Sequence, residues 1–458
     1  MKRLREATRA ASADTALGRN VVRATDTSLV KRAKAIADRP DWPRLRARAT
    51  AVKAHVLSNL DVHLARYIEA AEARGATVHV AEDAAKARRI VEGIARAAGA
   101  KTVLKAKSMT SEEIELNPAL EAAGAVPLET DLGEYIVQLA GEMPSHITAP
   151  ALHKSAEQIR DLFREHDVLD GEPPADGAEL ATWLSLQARE RLRPALLDAD
   201  LGISGANFLV ADTGSVVLIE NEGNIRYTTT TPKIQIAIAG IEKLIPSLAD
   251  LATFLPLLPR SATGQGATSY VSMISGPIGE ALHIVLLDGG RTELLGRDED
   301  REILQCIRCG ACMNVCPVYR TVGGHAYGSP YPGPIGSVLT PALRGSDDDA
   351  DLPWASSLCG ACTEVCPVGI DLHGQLLRAR ERQVESGRRG AAEGAAFRLW
   401  RWAMGGRRRY ALATRVARLF QKPARAVGLT RAWSEGRSVP TLASSSFREQ
   451  WRRRESAR

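Results

Sequence analysis

Cysteine is absent from the first 305 of the 458 residues, and long apolar runs are absent from the whole chain. The best candidates for such a run, residues 234–241 and 251–258, reach less than half of the roughly 18 residues that a membrane-spanning helix needs. The opening sequence, MKRLREATRAASADTALG, places charged residues where a secretory signal peptide has an unbroken apolar stretch. We therefore expect a cytoplasmic protein that does not span a membrane.

The overall composition is that of an ordinary folded protein. Hydrophobic residues make up 45% and charged residues 25% of the chain, which argues against collagen, coiled coil and wholesale disorder. A chain of 458 residues predicts two or three domains.

Positive charge is concentrated towards the C-terminus. Residues 378–458 contain 20 Arg and one Lys against six Glu, a net charge of +15; because the whole chain carries +6, residues 1–377 carry −9. Such a tail can contact an acidic partner or the anionic inner face of a membrane, or it can be a solvated pair of helices. Nucleic acid is not expected, because the tryptophan spacing in the tail suits helix packing equally well.

Changes of composition and of hydrophobic period divide the chain into four predicted regions. These are a helical arm (1–59), an α/β domain (60–295), a cysteine-bearing domain (296–390) and a basic helical tail (391–458). In the α/β domain, short strands alternate with helices between residues 77 and 129. This alternation indicates βαβ units, a parallel sheet and a ligand site at the carboxyl ends of its strands.

The second half of the predicted α/β domain is richer in strands. We predict a meander of three strands, then a helix and a final strand, at residues 208–211, 216–220, 225–230, 233–244 and 283–288 in that order. Tight-turn sequences, Asp212-Thr213-Gly214 and residues 221–224, join the strands of the meander.

All seven cysteines lie within a window of 61 residues, 306–366. The first run has the spacing of bacterial two-cluster ferredoxins, in which the fourth cysteine binds the other cluster; it reads Cys306-x2-Cys309-x2-Cys312-x3-Cys316-Pro317. A zinc site needs only four ligands, usually supplied as two CxxC pairs, and gives no reason for a third and fourth cysteine in one short run. The spacing therefore predicts iron–sulfur clusters.

The second run, Cys359-x2-Cys362-x3-Cys366-Pro367, repeats the first but has Ser356 where the leading cysteine would stand. Crossed ligation assigns one complete [4Fe–4S] cluster to Cys306, Cys309, Cys312 and Cys366, and a second cluster to Cys316, Cys359 and Cys362. The second cluster is either a [4Fe–4S] cluster with a non-cysteine ligand, such as Ser356 or water, or a [3Fe–4S] cluster. His325, Asp371 and His373 are weaker candidates for that ligand.

Four phrases of the sequence together resemble the lactate-utilization protein B family: ISGANFLVADTGSVVLIENEGN (203–224), CIRCGACMNVCPVYR (306–320), YGSPYPGPIGSVLTP (327–341) and LPWASSLCGACTEVCPVGIDLH (352–373). The resemblance implies an α/β domain similar to the ribose-5-phosphate isomerase and CoA-transferase superfamily, followed by an α-helical ferredoxin-like di-cluster domain. It also implies an electron-transfer subunit of the three-component bacterial system that oxidises L-lactate to pyruvate. The implied partners are a Cys-rich subunit and a second protein with the same α/β domain.

Two segments of the α/β domain contain candidate ligand-binding residues, and each also has a purely structural explanation. Lys105, Lys107, Ser108 and Thr110 lie where a strand ends and a helix starts, a position that favours an anion such as a carboxylate or phosphate, although a solvated N-cap gives the same pattern. Residues 220–224 resemble the nucleophile loop of CoA transferases, although a hairpin turn explains them equally well. A small-molecule transferase or isomerase with structural or regulatory clusters is therefore the alternative function, and whether the chain is itself an enzyme stays open.

Overall fold

The computed structural model describes residues 2–175, 177–387, 390–428, 438 and 440–457, and the chain divides into two compact units, Met1–Glu381 and Arg382–Arg458. The strands are β1 (Thr77–Ala81), β2 (Thr102–Lys105), β3 (Val126–Glu129), β4 (Leu201–Ser204), β5 (Phe208–Val210), β6 (Ser215–Glu220), β7 (Ile234–Gly240), β8 (Leu244–Ile245), β9 (Tyr270–Ile274) and β10 (Ala281–Leu287). The helices up to the last strand are α1 (Lys2–Ala13), α2 (Thr15–Ala37), α3 (Trp42–Ser58), α4 (Leu60–Glu72), α5 (Ala84–Ala97), α6 (Met109–Glu113), α7 (Leu116–Ala122), α8 (Leu132–Leu139), α9 (Ala156–Glu165), α10 (Gly177–Leu197), α11 (Asn224–Thr230) and α12 (Leu248–Ala262). Those that follow are α13 (Arg291–Leu295), α14 (Ala311–Val315), α15 (Pro317–Val322), α16 (Gly333–Arg344), α17 (Ala361–Val365), α18 (Leu372–Glu385), α19 (Ala391–Met404), α20 (Arg407–Ala426) and α21 (Phe447–Glu455).

A parallel sheet forms the centre of the α/β part of the first unit. Its strand order is β1-β10-β7-β4-β2-β3, and every neighbouring pair is parallel, which confirms the predicted sheet type. The inner strands are apolar and buried, as expected for a parallel sheet with both faces covered. β3 contains Pro127, which a strand at the edge of a sheet tolerates.

Strand β7 replaces the helix that was predicted at residues 233–244. It lies between β10 and β4, and all its residues except Ile234 are buried. β-branched side chains at Ile234, Ile236 and Ile238 occupy alternate positions, which favours a strand. A short apolar run is compatible with either a buried strand or a buried helix, so the sequence period could not decide between them. The prediction of a helix was wrong.

Residues 225–230, predicted as the third strand of the meander, belong to helix α11. The Glu220 carboxylate at the end of β6 accepts hydrogen bonds from the N–H groups of Ile225 (2.8 Å) and Arg226 (3.1 Å), two donors in the first turn that the helix itself cannot satisfy. Threonine hydroxyls donate back to carbonyl oxygens one turn earlier. The predicted hairpin between β5 and β6 is confirmed as an antiparallel pair, within a second sheet of order β8-β5-β6-β9.

The N-terminal helices pack on the cysteine-bearing region. Arg46 Nη2 in α3 donates to the carbonyl oxygens of Cys366 (2.8 Å) and Glu364 (3.1 Å), and Arg32 Nη2 in α2 donates to that of Val365 (3.0 Å). Helix α2 also contacts α14, which contains Cys312, and α15, which follows Cys316. The predicted helical arm therefore packs against the first cysteine run and holds the last backbone carbonyl groups of the second run in place.

The second unit contains helices α19, α20 and α21. α19 packs against α20, and the Ser446 side chain caps α21 in a capping box with Glu449. Both longer helices keep large apolar side chains exposed, among them Phe397, Trp400 and Leu419. Residues 429–437 and 439 of the predicted tail, including Trp433, lie outside the described residues. Among the described residues, no helix combines the length and the apolar character needed to cross a membrane.

Candidate iron–sulfur centre and adjoining cavity

The two cysteine runs have the same backbone conformation, fifty positions apart. Arg308 (φ 59°) and Leu358 (φ 56°) take the left-handed conformation immediately before the equivalent cysteines. Gly310 (φ 76°) and Gly360 (φ 82°) take it immediately after them, and the short helices α14 and α17 follow. A non-glycine residue with positive φ is uncommon, so the match at both positions shows that the predicted repeat is structural.

The fold brings the thiols together in the two predicted groups. Cys306, Cys309, Cys312 and Cys366 line one small cavity, although Cys366 lies in the second run. Cys362 interacts with Cys359 of its own run and with Cys316 of the first. This grouping supports crossed ligation, and the cluster assignments stay predictions.

The spacing of the sulfurs argues against zinc. Tetrahedral zinc with Zn–S bonds of about 2.3 Å holds its sulfurs about 3.8 Å apart. Among the described residues, which include all seven cysteines, no three cysteine sulfurs lie within 4.8 Å of one another. The seven thiols are therefore too widely spaced for a single ion, as expected where several irons separate the ligands.

The cysteine sulfurs accept backbone hydrogen bonds, and most of them are buried. Backbone N–H groups donate to Cys306 Sγ (from Arg308, 3.4 Å), Cys316 Sγ (from Tyr319, 3.5 Å) and Cys366 Sγ (from Ile370, 3.4 Å). Such bonds stabilise negative charge on sulfur and help to set the reduction potential. Burial raises the pKa of the Cys309 thiol to about 12 and that of Cys362 to about 11. Cys359 alone among the seven cysteines is exposed.

Ser356 occupies the position in the second run that Cys306 occupies in the first. Leu358 N–H donates to Ser356 Oγ (3.1 Å), just as Arg308 N–H donates to Cys306 Sγ (3.4 Å). Arg380 Nη2 donates to the Ser356 carbonyl oxygen (2.9 Å) and so restrains the residue further.

The other candidates for the fourth ligand have partners elsewhere. His325 Nε2 hydrogen-bonds to the Met143 carbonyl oxygen (2.6 Å), and His373 Nδ1 lies 2.9 Å from Asp371 Oδ1.

A cavity of about 240 Å³ lies beside the first cysteine run, at the carboxyl ends of the parallel strands. The segments that follow β2, β3, β4 and β7 all contribute to its wall, which is where a parallel sheet is expected to bind a ligand. Lys107, Ser108 and Thr110, predicted as part of an anion site, line it. So do the residues from Glu220 to Glu222, and so does Arg308 of the first cysteine run.

Lys105, the remaining member of the predicted anion site, is placed outside the cavity. Its ammonium group is fully buried and lies 2.7 Å from carboxylate oxygens of both Glu112 and Glu129. These carboxylates overcome the effect of burial and raise the pKa of Lys105. Since the charge is already neutralised by the protein, Lys105 is not available to a ligand. The side chain of a strand's last residue can point to either side, and the sequence does not show which.

A buried network of charges joins the cavity to the first cysteine run. Arg291 forms two hydrogen bonds with Glu113 (2.9 Å each) and a third with Glu242. Glu242 also accepts from Arg308 (3.0 Å), whose guanidinium lies over the Tyr331 ring at 4.8 Å and interacts with the Cys306 sulfur. Burial alone would raise the pKa of Glu242, but Arg291 and Arg308 lower it to about 2. The carboxylate therefore stays charged and fixes Arg308.

The sequence analysis did not predict this network. It also did not predict Lys243, the residue after Glu242, which lines the cavity. Burial and the neighbouring Arg308 lower the pKa of Lys243 to about 8. One signal was present: Glu242 and Lys243 are charged residues directly after the apolar run 234–241, and charged residues at a strand's carboxyl end are candidates for a site.

Comparison with known proteins gives consistent matches along the chain. Residues 64–291 match the family model of the LUD domain, residues 302–370 that of the 4Fe-4S dicluster domain, and residues 378–456 that of the lactate utilisation protein B C-terminal domain. Lactate utilization protein B from Bacillus cytotoxicus is 43% identical over 447 residues, which cover 94% of this chain and 93% of the relative. The chain belongs to the lactate utilization protein B family. The proteins of the same name from Bacillus thuringiensis strain Al Hakam and Bacillus cereus strain AH187 are 42% identical with the same coverage.

The solved structures add little to this assignment to the lactate utilization protein B family. The crystal structure of a DUF162 family protein from Deinococcus radiodurans covers 51% of this chain and 98% of its own, at 16% identity and a TM-score of 0.23. A score this low carries no argument about the fold.

Proposed function

We propose that the chain is the iron–sulfur electron-transfer subunit of a complex that oxidises L-lactate to pyruvate and so allows growth on lactate. The observation that carries this proposal is the pair of interleaved cysteine groups: Cys366 lines one small cavity with Cys306, Cys309 and Cys312 of the first run, and Cys316 interacts with Cys362 of the second. A structural role would need one cluster, whereas two adjoining clusters supply one-electron transfer through the protein when they are bound.

The proposed ligands divide between a complete and an incomplete set. Cys306, Cys309, Cys312 and Cys366 are proposed to hold a [4Fe–4S] cluster; Cys316, Cys359 and Cys362 are proposed to hold the second cluster, with Ser356 or water at the fourth position or as a [3Fe–4S] form. The similar backbone at Ser356 and Cys306 supports a ligand position there. The role of the chain's own residues is to bury the sulfurs, donate N–H groups to them and place Arg308 beside Cys306.

Several finer features rest on the family resemblance. We propose a cytoplasmic protein with the four domains bounded at residues 59/60, 295/296 and 390/391. The α/β domain is proposed to share the ribose-5-phosphate isomerase and CoA-transferase fold, and the cysteine-bearing domain the α-helical ferredoxin-like fold. The partners are a Cys-rich subunit and a second protein with the same α/β domain.

The basic tail is proposed to contact an acidic partner subunit or the inner face of the membrane. Its charge of +15 and the exposed apolar side chains on α19 and α20 support a contact surface. A chain truncated near residue 392 should keep its iron but lose assembly with its partners. Retained assembly with the same salt dependence would assign the contact to another surface.

The transferase or isomerase alternative receives no support from the loop that suggested it. Both carboxylate oxygens of Glu220 accept backbone N–H groups at the start of α11, so the residue acts as a cap.

Reduction by lactate tests the proposed function directly. The chain is purified without oxygen, and its iron, sulfide and EPR spectra are measured before and after L-lactate is added, alone and with both partners. We expect reduction only when the partners are present. No reduction in the complete, lactate-oxidising complex would refute an electron-transfer role.

A further inference from the structure

The wall of the cavity beside the first cysteine run contains cationic side chains with N–H donors that lack a hydrogen-bond partner within the described residues. Lys243 lines the cavity and is only 8% exposed. Two further groups of the wall, Lys107 Nζ and Arg308 Nη1, are buried and lack a hydrogen-bond partner in the part of the chain that the structure describes. A buried charged donor without a partner costs free energy. Two such donors, together with the largely buried Lys243 in the same wall, indicate an anionic ligand.

The acidic residues of the same wall are already engaged. Glu220 accepts two backbone N–H groups, Asp131 accepts the N–H of Glu134 (3.0 Å), and Glu222 accepts that of Leu132 (3.4 Å). These bonds cap helices, and within the described residues none of the three carboxylates accepts a hydrogen bond from Lys107, Lys243 or Arg308.

Charge and size limit the ligand further. Three cationic and three acidic side chains line the wall, a formal balance of zero, so a monoanion is favoured over a dianion such as phosphate. A volume of about 240 Å³ is below the range of roughly 300–1,000 Å³ that drug-sized ligands need. Asn207 and Thr148 in the wall add groups that can hydrogen-bond to a hydroxyl or carbonyl oxygen of the ligand.

We propose that this cavity binds a small monocarboxylate of the 2-hydroxy or 2-oxo acid class, with its carboxylate at Lys243 and Arg308. The site lies in this chain, next to the ligands of the first cluster, and does not require a partner subunit. The choice of class rests on the proposed function; the presence of an anion site rests on the unpartnered N–H donors of Lys107 and Arg308 and on the largely buried Lys243 beside them.

Calorimetric titration of the anaerobically purified holoprotein tests the site. L-lactate and pyruvate are the probes, propane-1,2-diol is the neutral analogue of lactate, and inorganic phosphate is the dianion. We expect both carboxylates to bind, the diol not to bind, and phosphate to bind more weakly. Lys243→Met should weaken carboxylate binding at least tenfold, because a hydrogen bond between charged groups is lost. Lys107→Met should weaken it as well, although it lies outside the charge network.

The matched control is Lys233→Met, because Lys233 is 77% exposed and pairs with Glu280 outside the cavity. It should leave the affinity unchanged, and the iron content and EPR signals of every variant show whether it has folded. In the wild type, carboxylate binding should perturb the EPR spectrum of the first cluster.

Three results would overturn the proposal: no carboxylate binding at millimolar concentration, tighter binding of phosphate, or unchanged binding in a correctly loaded Lys243→Met protein. Failure here is distinguishable from failure of the proposed function. A chain that binds no carboxylate but is still reduced by lactate in the complete complex is an electron carrier whose substrate site lies in a partner.

Discussion

Arg308 should raise the reduction potential of the first cluster, and replacing it with Met should lower that potential. The guanidinium interacts with the Cys306 sulfur and is buried, so its charge is weakly screened. Loss of a positive charge disfavours the addition of an electron. Glu242 keeps its ion pair with Arg291, so the substitution does not leave this carboxylate alone. Because Met and Arg are both non-glycine residues, the left-handed backbone at φ 59° is equally tolerated.

The magnitude follows from Coulomb's law. At an effective dielectric constant of 20, two unit charges interact by about 4 kcal/mol at 4 Å and about 2 kcal/mol at twice that distance. The larger distance suits a charge spread over a cluster, and about 2 kcal/mol corresponds to roughly 85 mV for a one-electron couple. Glu242, 3.0 Å from Arg308 Nη2, offsets part of the effect. We therefore expect a fall of about 40–90 mV.

Redox titration followed by EPR measures this potential in the anaerobically purified chain. Arg308→Lys retains the charge and should shift the potential less. Leu358→Met is the matched control, because Leu358 occupies the equivalent backbone position of the second run with φ 56° and carries no charge. A fall of less than about 20 mV, or an equal fall in the Leu358 variant, would show that the charge of Arg308 does not act on the cluster.

Three further predictions concern the ligands and a buried acid. Cys366→Ser should remove roughly half the iron and the same EPR signal as Cys306→Ser; loss of the signal that Cys359→Ser removes would mean that ligation is not crossed. Ser356→Cys should suppress a [3Fe–4S] signal that forms in air, and eight firmly held irons in the unaltered chain would contradict an open position. Burial raises the pKa of Glu134 to about 8, so its folded form holds an extra proton between about pH 4.5 and 8 and stability falls as pH rises through that window. Glu134→Gln should therefore add up to a few kcal/mol of unfolding free energy at pH 8 and little at pH 5, measured by denaturant unfolding; equal gains at both pH values would contradict the shift.

The cysteine spacing predicted most of the candidate centre because its geometry is local. Residues 306–316 wrap one short loop, and the turn positions needed at Gly310 recur fifty residues later at Gly360. A repeat of this kind also predicts which cysteine has no counterpart, so the spacing alone singles out Ser356. Short-range constraints of this type are visible in a sequence because the residues that satisfy them are neighbours.

The cavity could not be predicted in the same way, because its residues are distant in sequence. Lys107, Lys243 and Arg308 come together only when β2, β7 and the first cysteine run meet. The wrong prediction of a helix at residues 233–244 also hid the cavity, because only a strand there places Lys243 beyond the carboxyl end of the sheet. Lys105 and Lys107 are two residues apart, yet one is neutralised by Glu129 and the other faces the cavity.

The two cysteine groups differ in their exposure to solvent, so we expect different molecules to approach each of them. The first group adjoins Arg308 and the cavity, whereas the second contains the exposed Cys359. A protein that exchanges electrons with this chain must come close to one of the clusters, and the surface around Cys359 is the shorter approach. The cavity beside the first group is then left for the small carboxylate that we propose it binds. We therefore expect charge reversal on the surface near Cys359 to slow electron exchange with partners without changing carboxylate binding. Substitutions at Lys243 should weaken carboxylate binding without slowing electron exchange with those partners.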